Sequence, residues 1–336
     1  MTNWKKAGLT ALAGSLVATS AFAGAMSVSG TANLTYTANT GKNDYDGTTA
    51  TETMIDGARW GMNQTMGFTG SGEMDNGWTV SVSQYLANGS STGMGLSIDM
   101  GEAGAVDFQS DTSARGIGKI DDVMPTANEE VWNGIDTNGS TAGGGVSGKA
   151  SGGGTGFHYA NTAIDMVTIG LGYQPKGQGA SAQGGVDGAG AGASTVSGYI
   201  TVAPMDGLEV GAGVGEKATA AGSQNTDDHT TVYAKYTYGP VTVGYQTTDI
   251  DTYGTTTNDE STTYSILFAV NDSMSVSYGE WTNEDNTAVD EEITGFNASY
   301  TVGSMSFVFQ ASEGDNLGNS TGVESEHTEV GVTFAF

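Results

Sequence analysis

Carboxylates are the commonest charged side chains in this chain, and one short stretch contains four of them. Asp121, Asp122, Glu129 and Glu130 lie within residues 116–132. Clustered carboxylates can act as general acids and bases, but a catalytic site also needs other groups that bind and activate a substrate. No Ser-His-Asp order and no nucleotide-binding loop stands out in the sequence. We therefore expect these acids to attract cations and not to catalyse a reaction.

The other groups that can bind a metal or cofactor lack a suitable spacing. His158, His229 and His327 are far apart, and the chain has no cysteine. Further acids cluster in polar links, at residues 249–251, 259–260, 284–285 and 290–292. We predict no cofactor and at most weak binding of divalent cations by these acidic loops. In the alternative interpretation the loops only form a solvated external rim.

The net charge excludes one class of partner. The chain has 38 acidic residues against 10 Lys and Arg, a formal charge of −28. Without Lys5 and Lys6, which lie in a predicted leader, 8 basic residues remain against 38 acidic ones, or −30. A sequence-independent nucleic-acid binder needs a basic surface to displace counterions. We therefore expect no nucleic acid as a partner.

The first 23 residues have the features of a secretory signal peptide. Lys5 and Lys6 form a basic start, residues 7–19 are apolar or small, and residues 21–23 form an A-x-A cleavage site. The apolar stretch is shorter than the ~20 residues that a spanning helix needs. The mature chain is expected to begin at Gly24 and to leave the cytoplasm.

The rest of the chain alternates repeatedly between apolar residues and small or polar ones. In the last segment Val330, Val332, Phe334 and Phe336 fall on one face of a predicted strand, with small residues between them. The polar faces carry mostly Ser, Thr, Gly, Gln and Asn, unlike the charged outer faces of a soluble sandwich. In lipid, only closure of such a sheet satisfies its backbone. The pattern predicts an all-β fold, a transmembrane antiparallel up-and-down β-barrel of about sixteen strands formed by residues 24–336.

The links between the predicted strands alternate in length. The short links lie at residues 101–104, 161–163, 204–207, 239–240, 271–273 and 303–304. The long polar links lie at about 38–53, 110–154, 174–194, 216–228, 250–260, 283–291 and 313–326. Short turns on one rim and long loops on the other are typical of bacterial outer-membrane barrels.

The leader, the alternating links and the terminal Phe336 resemble those of Gram-negative outer-membrane β-barrels, and length and strand number resemble their general diffusion porins. The resemblance implies an outer-membrane homotrimer in contact with membrane lipid and lipopolysaccharide. It implies a water-filled channel whose permeants are small hydrophilic solutes and cations. It also implies that Phe334 and Phe336 form the assembly signal read by the barrel-insertion machinery.

The longest link, residues 110–154, resembles the third loop of porins, which folds into the barrel and narrows the pore. The resemblance implies a pore constriction made by Asp121, Asp122, Glu129, Glu130, Lys119 and Arg115 on the loop and by Arg59 on the wall. Residues 126–132 follow Pro125 with acids near their start, which favours a short helix. In the alternative interpretation the loop acids are solvated external charges.

Two functions therefore follow from the sequence. The first is a porin with a strongly negative field, which predicts a preference for cations. The alternative is a secreted acidic surface or adhesin-type β protein without channel activity. Such a protein has no need of a terminal Phe336 or of links that alternate in length.

Overall fold

The alternating segments form β-strands in a computed structural model of the chain. The structure describes residues 26–43, 53–54, 56–109, 115–135, 156–175, 194–218, 225–254, 258–284 and 289–336. The predicted signal peptide at residues 1–23 lies outside the described residues, as do residues 110–114 and 136–154 of the predicted constriction loop.

Seventeen strands run through the described residues, and sixteen of them form the wall because β2 has only two residues. The strands are β1 (Met26–Asn43), β2 (Thr53–Met54), β3 (Gly57–Glu73), β4 (Thr79–Ala87), β5 (Ser90–Asp99), β6 (Ala105–Gln109), β7 (Gly156–Asn161), β8 (Val167–Gln174), β9 (Thr195–Met205), β10 (Leu208–Ala218), β11 (Thr226–Tyr238), β12 (Val241–Asp251), β13 (Asn258–Asn271), β14 (Met274–Glu284), β15 (Glu291–Val302), β16 (Met305–Asp315) and β17 (Ser325–Ala335). Short 3-10 helices lie at Gly101–Ala103, Gly116–Ile120 and Leu317–Asn319. None of the helices in the described residues is long and apolar enough to span a membrane.

The sheet closes on itself. Each wall strand pairs antiparallel with its neighbours along the chain, and β1 also pairs with β17. Leu34 on β1, for example, lies between Met62 on β3 and Val332 on β17. Closure leaves no edge strand, so backbone groups in lipid find partners within the sheet. The predicted antiparallel barrel of sixteen strands is confirmed.

The links at one rim are tight turns. Two-residue turns at 206–207, 239–240, 272–273 and 303–304 each join neighbouring strands. On the rim of the long links, Asn88 and Gly89 make a two-residue turn between β4 and β5, and their φ values are 50° and 83°. Positive φ at both positions is the conformation that Asn-Gly hairpin turns adopt most readily. This two-residue link therefore lies on the same rim as the long links.

The two faces of the wall differ in chemistry and in burial. We call outer the face that carries the large exposed apolar side chains, such as Met62, which is 72% exposed. We call inner the opposite face, where Gln246 and Gln310 are fully buried. An apolar band around a closed sheet fits contact with lipid, and a polar inner face fits contact with water.

Segment 115–135 lies against the inner face and buries part of it. The segment begins with the 3-10 helix Gly116–Ile120 and then continues to Ile135 with turns but no further helix or strand. The short helix that the sequence predicted over residues 126–132 is therefore wrong. The hydroxyl of Thr126 donates to the carbonyl of Glu129 at 2.7 Å and does not cap a helix. Wall side chains bind the backbone groups that a helix would pair internally.

Candidate functional site

Gln246 on β12 binds the first half of segment 115–135. Its Nε2 donates to the carbonyl oxygens of Ile120 at 2.8 Å and Asp121 at 3.0 Å. Its Oε1 accepts from the backbone N–H of Val123 at 3.3 Å, and Nε2 is also 3.1 Å from Oγ1 of Thr231. One amide thus serves three backbone groups of the segment. Because buried backbone groups need partners, this side chain fixes the path of the segment over β12.

Two more amides repeat the arrangement farther along the wall. Asn297 on β15 donates to the carbonyl of Glu129 at 3.1 Å. Gln310 on β16 donates to the carbonyls of Glu130 at 3.2 Å and Asn133 at 3.0 Å. Both amides are buried on the inner face. The wall therefore binds the backbone of the segment, and the side chains of Asp122 and Glu129 remain exposed.

Hydroxyl groups and one imidazole bind the N–H groups of the segment. Ser197 Oγ on β9 accepts from Ile117 at 3.3 Å, and Ser277 Oγ on β14 accepts from Ala127 at 2.9 Å. The N–H of Gly116 points to Nδ1 of His158 on β7 at 3.2 Å. From β7 to β16, the segment follows the inner face of a large part of the barrel.

An apolar cluster fastens each end of the segment. At its start Ile117 and Ile120 pack with Tyr233 on β11. At its end Trp132 lies 6.1 Å from Trp281 on β14, measured between ring centroids. The second cluster contains Val131, Trp132, Ile135, Trp281, Ile293 and Leu317. Burial of these side chains holds the ends of the segment by the hydrophobic effect.

Inner-face glycines make room for the segment. A Cβ atom added to Gly213 on β10 would lie 2.8 Å from Cγ1 of Ile117, closer than real Cβ atoms approach. A Cβ at Gly244 on β12 would meet the ring of Pro125 and would lie 2.8 Å from Sδ of Met124. A side chain at either position would collide with the segment, so the segment can lie against these strands only because both residues are glycine.

Four of the predicted site residues are exposed. Asp122 and Glu129 present their side chains between the two apolar clusters, and Lys119 lies on the last turn of the 3-10 helix. Arg59 is exposed on the inner face of β3, opposite Thr37 of β1. These four side chains are the charges of the predicted set that solvent reaches most freely.

The other three predicted site residues are covered to different degrees. Arg115 and Asp121 are buried, with exposed fractions of 1% and 6%. Glu130 is half-buried, and its carbonyl is bound by Gln310. The seven residues that the sequence grouped into one predicted constriction thus differ in exposure: four are exposed, two are buried and one is half-buried. In the described part of the chain, no three His, Asp or Glu side chains come close enough together to hold a metal ion.

A family model described as Gram-negative porin matches residues 8–271, which is most of the chain. The chain belongs to the Gram-negative porin family. Its place is therefore the outer membrane, and its barrel is a channel for passive diffusion. No curated protein sequence matches the chain.

Solved porin structures share the fold of this porin at low sequence identity. A porin refined at 1.8 Å resolution is 14% identical, with a TM-score of 0.64, over 93% of this chain and 100% of that one. A mutant of the Rh. blastica porin is 12% identical, with a TM-score of 0.61 and the same coverage. A loop-deletion mutant of OmpT, an outer-membrane protein of Vibrio cholerae, is 13% identical, with a TM-score of 0.66, over 93% of this chain and 99% of that one.

Two inner-face acids of this porin were not predicted as such, because Glu329 belongs to no predicted set and Glu291 was expected on the solvated rim with residues 290–292. Glu329 on β17 stands opposite Thr37 and Gln310 on the inner face, close enough to Glu129 for their charges to repel. Glu291 is fully buried on the inner face of β15. The alternation that placed Arg59 on the inner face also places these two acids there, so a residue count along β15 and β17 would have found them.

One inner-face base of this porin is paired on the wall itself. Lys235 Nζ on β11 lies 3.0 Å from Oε1 of Glu209 on β10, and the two residues face each other across the strand pair. The hydroxyl of Tyr233 also donates to Oε1 of Glu209, at 2.8 Å. The positive charge of Lys235 is therefore largely offset by the carboxylate of Glu209.

Proposed function

We propose that the chain forms a water-filled outer-membrane channel that passes small hydrophilic solutes, prefers cations and catalyses no reaction. The passage is narrowed by segment 115–135. The observation that carries the proposal is the attachment of this segment to the inner face by its backbone, with Asp122 and Glu129 left exposed between two apolar clusters.

The charges of the described inner face support the preference for cations. Asp99, Asp107 and Glu329 on the wall add to the two exposed acids of the segment. Arg59 and Lys119 are the exposed bases near them, while Lys235 is neutralised by Glu209. Acids beside the ion path act at short range, where salt screens least, and the field is focused by the low-dielectric wall.

The test is the reversal potential of the purified porin in a KCl gradient across a planar bilayer. We expect the sign of a cation-selective pore, and the preference should weaken as ionic strength rises. Replacing Asp122 with Asn and Glu129 with Gln should lower the cation-to-anion permeability ratio several-fold, because both charges lie beside the path. A wild-type pore that prefers chloride would contradict the proposal.

A matched control removes the same charge from the outer face. Asp249 on β12 and Glu260 on β13 face each other across the strand pair on the side of the exposed Tyr245. Asp249→Asn with Glu260→Gln should shift the reversal potential much less than the inner pair. An equal shift would mean that the total charge of the protein, and not the segment, sets selectivity.

The remaining partners stay predictions. Association into a homotrimer, contact with lipopolysaccharide and recognition of Phe334 and Phe336 by the barrel-insertion machinery follow from the family resemblance. The exposed apolar outer face supports contact with membrane lipid. Membership in the porin family favours the channel over the alternative of a secreted acidic surface protein.

A further inference from the structure

Three inner-face tyrosines each stand opposite a glycine on the neighbouring strand. Tyr85 faces Gly67, Tyr199 faces Gly170, and Tyr233 faces Gly211. An added Cβ atom would collide with the tyrosine ring at Gly170 and at Gly211, and at Gly67 it would make a tight contact, 3.2 Å from Cε1 of Tyr85. The rings therefore lie over the glycine backbone and turn one face away from the wall, an arrangement known to support glycines in sheets.

Two of these rings already have partners in the wall or the segment. Tyr199 stacks on His158, with ring centroids 6.2 Å apart and planes 5° from parallel. Tyr233 is 5% exposed because it packs under Ile117, and its hydroxyl donates to Glu209. Tyr85, in contrast, is 46% exposed. Among the described residues its ring and hydroxyl make no stacking contact or hydrogen bond.

The orientation of Tyr85 follows from the strand pairing. Gln310, which holds the segment, pairs with Glu329, and Glu329 pairs with Thr37. Thr37 pairs with Arg59 on β3. Residues two apart on a strand share a face, so Gly67 lies on the same face as Arg59, and its partner Tyr85 also faces the inside of the barrel.

The surroundings of Tyr85 are uncharged and rich in hydrogen-bonding groups. Ser29 on β1 pairs with Gly67 from the side opposite to Tyr85, and its Oγ lies 3.5 Å from the Cβ position of Gly67. Beside it, the hydroxyls of Thr31 and Thr65 are 2.7 Å apart, and Asn63 is the next inner-face residue on β3. Hydroxyl and amide groups both donate and accept hydrogen bonds. On β3 the nearest inner-face charges are Glu73, six residues from Gly67, and Arg59, eight residues away in the other direction.

A flat aromatic face bordered by hydroxyl and amide groups matches the chemistry of a sugar ring. A pyranose has an apolar C–H face, which packs on an aromatic ring, and an edge of hydroxyls, which exchange hydrogen bonds with Ser, Thr and Asn. An organic cation can also lie over a tyrosine ring, but the gain is small at an exposed site, and a nearby carboxylate would strengthen it. The patch around Tyr85 presents none among the described residues that form it.

We propose that Tyr85, with Ser29, Thr31, Asn63 and Thr65, forms a weak carbohydrate-binding subsite inside the channel. The site rests on the proposed channel function, since a sugar reaches it only through a water-filled lumen. Sugars that touch the ring would be retained briefly during diffusion. The channel would thus favour neutral oligosaccharides over linear polyols of similar size.

The experiment measures block of single-channel KCl current by maltotriose. We expect concentration-dependent block of the wild type, and Tyr85→Leu should raise the half-blocking concentration about two- to tenfold, the range of an aromatic contact. Tyr85→Trp should lower it, because its ring is larger. The matched control is Tyr278→Leu on the outer face, where Tyr278 is 49% exposed; it should leave the block unchanged.

The outcomes separate the subsite from the channel itself. Absence of block in a wild type that conducts KCl, or equal block in the wild type, Tyr85→Leu and Tyr85→Trp, would overturn the subsite and leave the channel intact. A change in choline permeability with unaltered maltotriose block would identify a cation site and would also overturn it. Absence of any KCl conductance in the wild type would refute the proposed function instead. The Trp variant keeps an aromatic ring over Gly67, so it decides the question if the Leu variant fails to assemble.

Discussion

Replacement of Gln246 with Leu should loosen segment 115–135 while leaving the barrel assembled. The side chain of Leu is apolar, one atom shorter than that of Gln, and cannot form a hydrogen bond. The change would leave the carbonyls of Ile120 and Asp121 and the N–H of Val123 without their partner on the wall. The rest of the segment would keep its bonds to Ser277, Asn297 and Gln310.

The magnitude follows from the three groups that lose a partner. A buried backbone group without a hydrogen bond costs about 1–3 kcal/mol. Asp122 is exposed and Val123 is half-buried, so water reaches this region and the lower value applies to each group. The loss is then about 3 kcal/mol, which raises the population of the locally detached segment by about two orders of magnitude.

Single-channel recording in concentrated KCl detects that population directly. The wild type should show one steady open level, because the segment is fixed at both ends. Gln246→Leu should add brief excursions to a higher conductance, and a further Gln310→Leu change should lengthen them. Conductance traces of both variants that match the wild type would refute the idea that wall amides hold a constriction.

Gln84→Leu is the matched control for this experiment. Gln84 also loses three hydrogen bonds, to the carbonyls of Tyr85 and Gly93 and to the hydroxyl of Ser91. All of them lie within the β4–β5 hairpin and none touches the segment. The control should therefore conduct like the wild type. Excursions to higher conductance in the control would mean that general loosening of the wall, and not detachment of the segment, causes them.

Two more substitutions test the seat of the segment and the assembly of the barrel. Gly244→Val should displace Pro125 and Met124 and raise the open conductance, whereas Gly57→Val, where an added Cβ meets nothing within 4 Å, should not; equal conductance in the two variants would count against the glycine seat. Phe336→Ser should leave the chain exported but poorly assembled, because the terminal ring covers Gly30 and the two residues exchange backbone hydrogen bonds of 3.0 Å. The measurement is the heat-modifiable electrophoretic mobility of the protein in membrane fractions. The outward Phe307→Ser is its control, and normal assembly of the Phe336 variant would remove the assigned role of the terminal residue.

The strands were predictable because each one separates two different environments. Alternation fixes which side chains of a strand share a face, and it placed Val330, Val332 and Phe334 on the outer face and Arg59 on the inner one. The closed pairing of β1 with β17 then follows from the need to leave no edge in lipid. Fold class and strand number therefore came from local pattern and one physical requirement.

The path of segment 115–135 was not predictable in the same way. Its partners, among them Gln246, Asn297 and Gln310, are polar inner-face residues like many others, and nothing in their spacing distinguishes them. Inner-face glycines such as Gly213 and Gly244 are a usable signal only once the face is known. The helix expected over residues 126–132 fails because intrinsic preference is weak beside side chains that bind the backbone directly.

The attachment of segment 115–135 and the selectivity proposed for it would depend on different parts of the segment. The wall holds the segment through its backbone and through the apolar side chains at its two ends, such as Ile117 and Trp132. The charged side chains of Asp122 and Glu129 take no part in that attachment among the described contacts. Neutralising the two acids should therefore change the reversal potential and leave the open level steady. Gln246→Leu should do the reverse, adding higher levels while the steady level keeps its preference for cations. If neutralising the acids also added higher conductance levels, or if Gln246→Leu also changed the selectivity of the steady level, charge and attachment would be coupled in this channel.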